Sequence, residues 1–516
     1  MGSLPSIARR CAQIVLPVMA LLSPAGADPG AAETATPPRP RHYISPAGSD
    51  ANTGTSAQNP WRSFRHAFAS MAGGDELVLL DGEYSDASGT GRIDYVDREA
   101  AGPNSAQIPS GLPSAPTRVR AENPGRAVIR GRLFVGRSFR KDRHIEIDGI
   151  TFHGRSELFN TTRVTIRNCG FRGGLGIGTN DHEQGNDHNL IEDVWVWGTG
   201  QRGIAVNYRA SYNVWRRVLV RGDGCGTAEC SEQPNVGITV YDSNHVSLQN
   251  VMVVDRVLAR GDQPYGDFAA AQHTPGAHLF GHNEWLGTIS LKAPDTGYYL
   301  EPDRGGTIDP TFRIANAIAW DSAQAAFNIT RSGNENVFEN LTARSLGGDG
   351  VRLASDLGSG VLRNVLVAGA ARYGINSRYP PAYVAVTARG DALNQERCAT
   401  DCFLQHDARA DGAVPSLRYL VRIESRSFLK GRGMRGADIG ANVVYRYGRE
   451  GTSYGQPGYN MLTTARLWPW PNEARIKREM CEESGVSRGF CAAPSLTRYV
   501  WEFLGHPMPG DPGPAP

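Results

Sequence analysis

Short polar clusters that follow apolar runs hold the side chains of this chain able to do acid–base work. They are 198–202 (GTGQR), 221–223 (RGD), 255–256 (DR), 321–322 (DS) and 347–349 (GGD). A long polar stretch, 258–310, adds Asp262, Tyr265, Asp267, His273, His278, His282, Glu284, Lys292, Tyr298 and Tyr299. Two reactions suit this mixture. Taking a proton from the carbon beside a carboxylate needs a base, plus a cation to neutralise the developing negative charge. Arg221, Arg256, Lys292 and His282 are the candidates, with Arg256 or Lys292 preferred as base. An arginine base needs unusual help, because the guanidinium holds its proton tightly. Calcium favours oxygen ligands, and Asp223, Asp255 and Asp321 are the residues that would hold it. Glycoside hydrolysis instead needs two carboxylates at a set separation, and the same three aspartates are the candidates. Arg202, Tyr265, Trp285, Tyr298 and Tyr299 are the side chains expected to grip a sugar. Each feature also has a plain reading: aspartate caps corners, arginine solvates a surface, and aromatic rings pack a loop.

The elements that must position these groups recur. Residues 189–197 read NLIEDVWVW, 213–221 NVWRRVLVR, 245–254 HVSLQNVMVV, 336–344 NVFENLTAR and 362–368 LRNVLVA. Asn189 to Asn213 is 24 residues, Asn213 to His245 is 32, and Asn340 to Asn364 is 24 again. Shorter pieces lie between: GIAV, GITV, FNI and GVRL. No helical period fits VWVW or VMVV, whereas alternating or fully buried strands do. Strands this short bury a face only when stacked turn on turn. The pattern predicts a parallel β-helix. A propeller or sandwich would need tight hairpins, and Asn-Gly or Asp-Gly hairpins are scarce here. If the registers hold, the polar clusters climb the solenoid as a column, about 4.8 Å per coil, along which an extended polysaccharide could lie.

Composition bounds the partners. Removing residues 1–27 takes away Arg9 and Arg10 and balances the charge against 52 acidic residues. That balance gives no general reason to bind nucleic acid or to enter a membrane. Arg9 and Arg10, the apolar run 11–22 and Ala25-Gly26-Ala27 read as an export signal, so a secreted or periplasmic protein is expected. Three close cysteine pairs then read as disulfides: Cys225 with Cys230, Cys398 with Cys402, and Cys481 with Cys491. Zinc is disfavoured, since Cys398 and Cys402 lack a second ligand pair. His278 and His282 would share a face only in a helix, which Pro275, Gly276 and Gly281 oppose.

The opening of the fold carries a resemblance. YISPAGSDANTGT, PWRSFRHAFASM and GDELVLLDGEY, in order over residues 43–84, resemble the start of secreted right-handed parallel β-helix proteins of the pectate-lyase-like superfamily. The resemblance implies an amphipathic helix, with Phe64, Ala67, Phe68 and Met71 on one face, that shields the first rung. It names no activity, because lyases, hydrolases, epimerases and adhesive proteins share the fold. Lyases of this kind often pair calcium with a basic residue, while the NxD and Asp-Asp pattern of the pectinolytic hydrolases is missing here. The resulting expectation is an all-β chain: signal 1–27, linker 28–40, right-handed parallel β-helix 41–429 with a long loop insertion 258–310, and a C-terminal capping tail 430–516. The expected activity is β-elimination on an anionic, uronate-containing polysaccharide or oligosaccharide, by a monomer with no organic cofactor. Hydrolysis by paired carboxylates and non-enzymatic glycan binding are the alternatives.

Overall fold

The computed structural model describes residues 39–97, 102–178, 185–199, 203–228, 235–271, 280–301, 311–330, 334–354, 358–394, 397–405 and 417–510. Its strands form one sheet of twenty, one of ten and three two-stranded pairs. Every ladder between consecutive coils is parallel: Leu190–Gly198 pairs with Val214–Gly222, and Ala205–Tyr208 with Ile238–Tyr241. This is a parallel β-helix. Each coil has one long bent strand and one short straight strand, joined by two corners.

The bend is made by single residues in the left-handed region. Asn168, Asp193, Arg217, Asn250, Asn316, Asn340 and Asn364 have φ between 48° and 55°, a conformation that Asn and Asp tolerate best among residues with a side chain. The asparagines that open the repeats do a second job. Asn189 Oδ1 accepts from Val164 N at 3.0 Å, Asn213 Oδ1 from Asn189 N at 2.9 Å, and Asn283 Oδ1 from Val246 N at 2.9 Å. Each buried amide thus satisfies the coil below it.

The core is a set of side-chain columns. Ile191, Trp215, Leu248, Trp285, Ile314, Phe338 and Leu362 stack in register inside the solenoid. Phe268, Tyr298 and Phe327 form another column, with ring centroids 4.6 and 4.5 Å apart. The run VWVW is apolar throughout because both its faces are covered. Val194 and Val196 point into the solenoid, whereas Trp195 and Trp197 join a second apolar cluster on its outside. That cluster is completed by Leu420, Val421, Leu429, Trp468, Trp470, Met480, Phe490 and Trp501. Residues 417–510 therefore lie against the outward face of the bent strands.

One detail differs from expectation. The stretch 258–310 is no single insertion: it contains Gly266–Ala271, Asn283–Leu286, Ile289–Leu291 and Thr296–Leu300, which pair as ordinary coils. Its alanines hid the pattern, since they carry little β signal. The helix spans Phe64–Ser70, with the Ser63 side chain accepting from His66 N, and lies against Arg41–Ile44, Arg92–Ile93 and Ser105–Ala106. Cys398–Cys402 and Cys481–Cys491 are disulfides; Cys230 lies outside the described residues. Cys169 is buried, and burial pushes its thiol up to about 12. Among the described residues no helix is long and apolar enough to cross a membrane.

Candidate functional site

The corner that follows each bent strand gathers most of the expected acid–base residues. Val254 pairs with Leu291, and Leu291 with Trp320, so Asp255, Lys292 and Asp321 occupy one position in three successive coils. Their φ values are 51°, 57° and 59°. Opposite charges thus alternate up this corner, where the earlier coils place Gly173, Gly198 and Gly222.

Most of these charges are used by the fold. Arg221 is buried, and its fork meets Asp223 at 2.8 and 2.9 Å while it donates to the Met480 carbonyl at 2.6 Å. Asp223 also takes Arg488 at 2.7 Å. Asp255 accepts from Phe490 N at 2.8 Å and from the Tyr499 hydroxyl at 2.5 Å. Gly489 passes so close that a Cβ there would lie 2.0 Å from the Asp255 carboxylate. Arg256 is buried, ion-paired to Asp267 at 2.7 Å and bonded to the Asn235 carbonyl at 2.8 Å; Ser290 donates to Asp267 at 2.7 Å. Burial pushes the Asp267 carboxyl up and Arg256 opposes it. Arg221 and Arg256 are therefore structural cations, not bases in an open cleft. Arg221 is taken up by Asp223 and the Met480 carbonyl, and Arg256 by Asp267, pairings that the sequence contains but does not connect.

Lys292 is different. Its side chain is exposed, with its ammonium 5.6 Å from the Tyr499 ring centre and 5.2 Å from that of Phe503. It opens on a groove of about 500 Å³ shared with Trp320, Asp321, Arg344 and Tyr499. Arg344 meets Asp321 at 2.7 Å and lies over the Trp320 ring at 5.7 Å. Burial and the neighbouring Asp255 raise the Tyr499 phenol above its ordinary range. Neither Arg344 nor Tyr499 carries a sequence signal of a site: one closes an ordinary repeat, and the other lies in the amphipathic C-terminal helix Leu496–Trp501.

The remaining candidates lie elsewhere. His282 is at the opposite end of its bent strand. There it closes a stack of His188, Tyr212, His245 and His282, with successive ring centroids 5.3, 4.6 and 4.6 Å apart. The interplanar angles are only 5°, 22° and 25°. Imidazole lone pairs lie in the ring plane, so near-parallel rings do not converge on one ion. Trp285 and Tyr298 point into the core, because the alternation phase of their strands is set by their neighbours' register. They are not sugar platforms. Tyr265 and Tyr299 meet edge to face, centroids 4.8 Å apart, on the outside of the ten-stranded sheet. Burial, then Tyr241 and Glu301, raise the Tyr265 phenol. Arg202, His273 and His278 lie outside the described residues.

The calcium ligand set does not assemble. Asp223, Asp255 and Asp321 are held by Arg221 and Arg488, by Phe490 N and Tyr499, and by Arg344. Among the described residues no three His, Cys, Asp or Glu side chains converge as a metal site. The arrangement around Lys292 offers a basic nitrogen, a second cation fixed by a carboxylate and an aromatic face.

No family model matches the chain, and no curated protein sequence does. Among solved structures it is similar to pectate lyase Pel9A (15% identity, TM-score 0.44, covering 78% of this chain and 95% of that one). It is also similar to XylC in complex with xylose (8%, 0.40, 69% and 76%). A third likeness is to the A-module of the Azotobacter vinelandii mannuronan C-5 epimerase AlgE6 (9%, 0.38, 64% and 87%).

Proposed function

We propose that the protein is an exported polysaccharide lyase that cleaves a uronate-containing chain by β-elimination in the Lys292 groove. The observation that carries this reading is that Lys292, alone among the expected bases of the charged corner, is exposed, and that it shares its groove with the anchored cation Arg344. In its uncharged form Lys292 takes the C5 proton of the uronate. The C–H electrons form the C4–C5 double bond as the C4–O bond breaks, and the proton passes to the departing oxygen. Arg344 offsets the charge that builds on the uronate carboxylate, a role suited to a guanidinium fork. Asp321 engages one guanidinium nitrogen and leaves other donors of the fork for substrate. Trp320 is fully buried beneath Arg344 and supports that cation without presenting a face to substrate. No step runs through calcium, since the three aspartates are already engaged. The Cys481–Cys491 bridge, which staples the segment carrying Tyr499, suits an oxidising compartment.

The test is product analysis. The mature protein is incubated with a panel of acidic and neutral polysaccharides while ultraviolet absorbance of the unsaturated uronate is followed. A rise on an acidic polymer is expected. New reducing ends without absorbance would replace the proposal with hydrolysis, and binding without any product would replace it with a glycan-binding role.

A further inference from the structure

Below the point where Gly489 crosses Asp255, the same corner continues as a groove that the proposed reaction does not use. Its floor is a column of glycines. Ile129 pairs with Phe152, Phe152 with Phe171, and Phe171 with Val196, which aligns Gly131, Gly154, Gly173 and Gly198 two positions on. Two adjoining cavities of about 580 and 520 Å³ share Gly154 and together run from Tyr84 to Asp223. At about 4.8 Å per coil, the floor follows the solenoid axis.

Three of these glycines have structural causes. A Cβ on Gly154 would lie 2.8 Å from Arg132 N, and Gly173 and Gly198 have φ of 100° and 117°. Gly131 has none: its φ is not positive, and a Cβ there would meet nothing within 4 Å. The fold does not need a glycine at this position. What the missing side chain does is leave the floor open, as close approach of a ligand requires.

The walls carry surplus positive charge. Each carboxylate on the groove already has a cation: Asp86 has Arg92 at 2.9 Å, Asp94 has Arg132 at 2.7 Å, and Asp223 has Arg221 and Arg488. Arg130 is held by Glu83 and donates toward His153 Nδ1 at 2.8 Å. Arg155 and Arg172 are exposed, and neither has an ion-pair partner among the described residues. His153, between Arg130 and Arg172, is pushed down to about 4 by burial first and then by these two cations, with Glu83 opposing.

We propose that this groove binds an extended polyanionic saccharide along the solenoid axis, with Arg155 and Arg172 meeting its carboxylate or sulfate groups over the open floor at Gly131. The proposal uses none of the residues assigned to elimination, so either can fail alone.

Affinity electrophoresis of the mature protein through polygalacturonate, dextran sulfate and neutral dextran tests it. Retardation by either or both polyanions and none by neutral dextran is expected, the first probe reporting carboxylate and the second sulfate recognition. The R155A/R172A variant should bind about tenfold more weakly, and G131F should bind as weakly while melting like the parent. A second readout follows the His153 ring by NMR. A bound polyanion favours the imidazolium, so the midpoint should rise on adding polygalacturonate to the parent protein and stay put in G131F. Unchanged retardation in both groove variants, equal retardation by neutral dextran, or a His153 midpoint indifferent to polyanion would each overturn the proposal.

Discussion

The two corners of this coil use the same backbone and opposite chemistry. At one, Asp255, Lys292 and Asp321 alternate in charge; at the other, His188, Tyr212, His245 and His282 stack their rings. All seven residues are left-handed, with φ from 46° to 59°. The corner conformation therefore does not select the side chain. What differs is the cover. The charged corner is crossed by the segment 488–499, which takes up Asp223 and Asp255 and leaves Lys292 exposed beside it. The aromatic corner is touched edge-on by Tyr454, 5.5 Å from Tyr212 and 5.8 Å from His245, and its rings satisfy each other. Reactivity is expected where a charge escapes its partner, and stability where none does.

Substitutions can break that contrast. The largest stability loss is expected for Arg256→Ala, which strands the buried Asp267 carboxylate. Denaturant melts should fall by about 3–5 kcal/mol, and a loss under about 1 kcal/mol would mean that Arg256 is not a structural cation. Removing the Cys481–Cys491 bridge should cost about 2–4 kcal/mol and expose the outer apolar cluster to a hydrophobic dye. No dye binding would show that the segment stays docked without its staple. His245→Ala interrupts the ring stack and should cost about 0.5–1.5 kcal/mol, with elimination unchanged. A loss of turnover would move the reactive centre to the aromatic corner. The smallest effect sharpens the charged side. His153 should titrate near 4, and Arg172→Ala, by removing a repelling cation, should raise the midpoint. With the folded value below the unfolded one, His153 leaves stability intact above about pH 6.5, and that stability falls as pH drops through about 4.

Much of the fold was legible because its signals are local. The recurring asparagines mark buried ladder positions and left-handed bends, and VWVW marks a strand covered on both faces. Asp255 and Asp321 could be suspected of sharing a corner because each follows an apolar strand by one residue; Lys292 could not, because its strand Ile289–Leu291 lies in a stretch that reads as one long loop. The rest depends on what is remote. Arg221 reads as an available cation until Asp223 closes on its fork and the Met480 carbonyl arrives from the far end of the chain. Trp285 and Tyr298 read as sugar platforms because a strand's phase, inward or outward, follows its neighbours' register and a slip of one residue inverts it. The ring stack was invisible because its members are 24, 33 and 37 residues apart, the coils between them having grown loops of unequal length.

The central claim is that Lys292 removes the proton. The most direct measurement is the initial rate of unsaturated-uronate formation by Lys292→Ala, beside the parent, on whichever acidic polymer the parent cleaves, with the melting curves of both recorded. A rate lower by about 10²–10⁴-fold at unchanged stability is the predicted result. A rate equal to the parent's would contradict the assignment of Lys292 as the base.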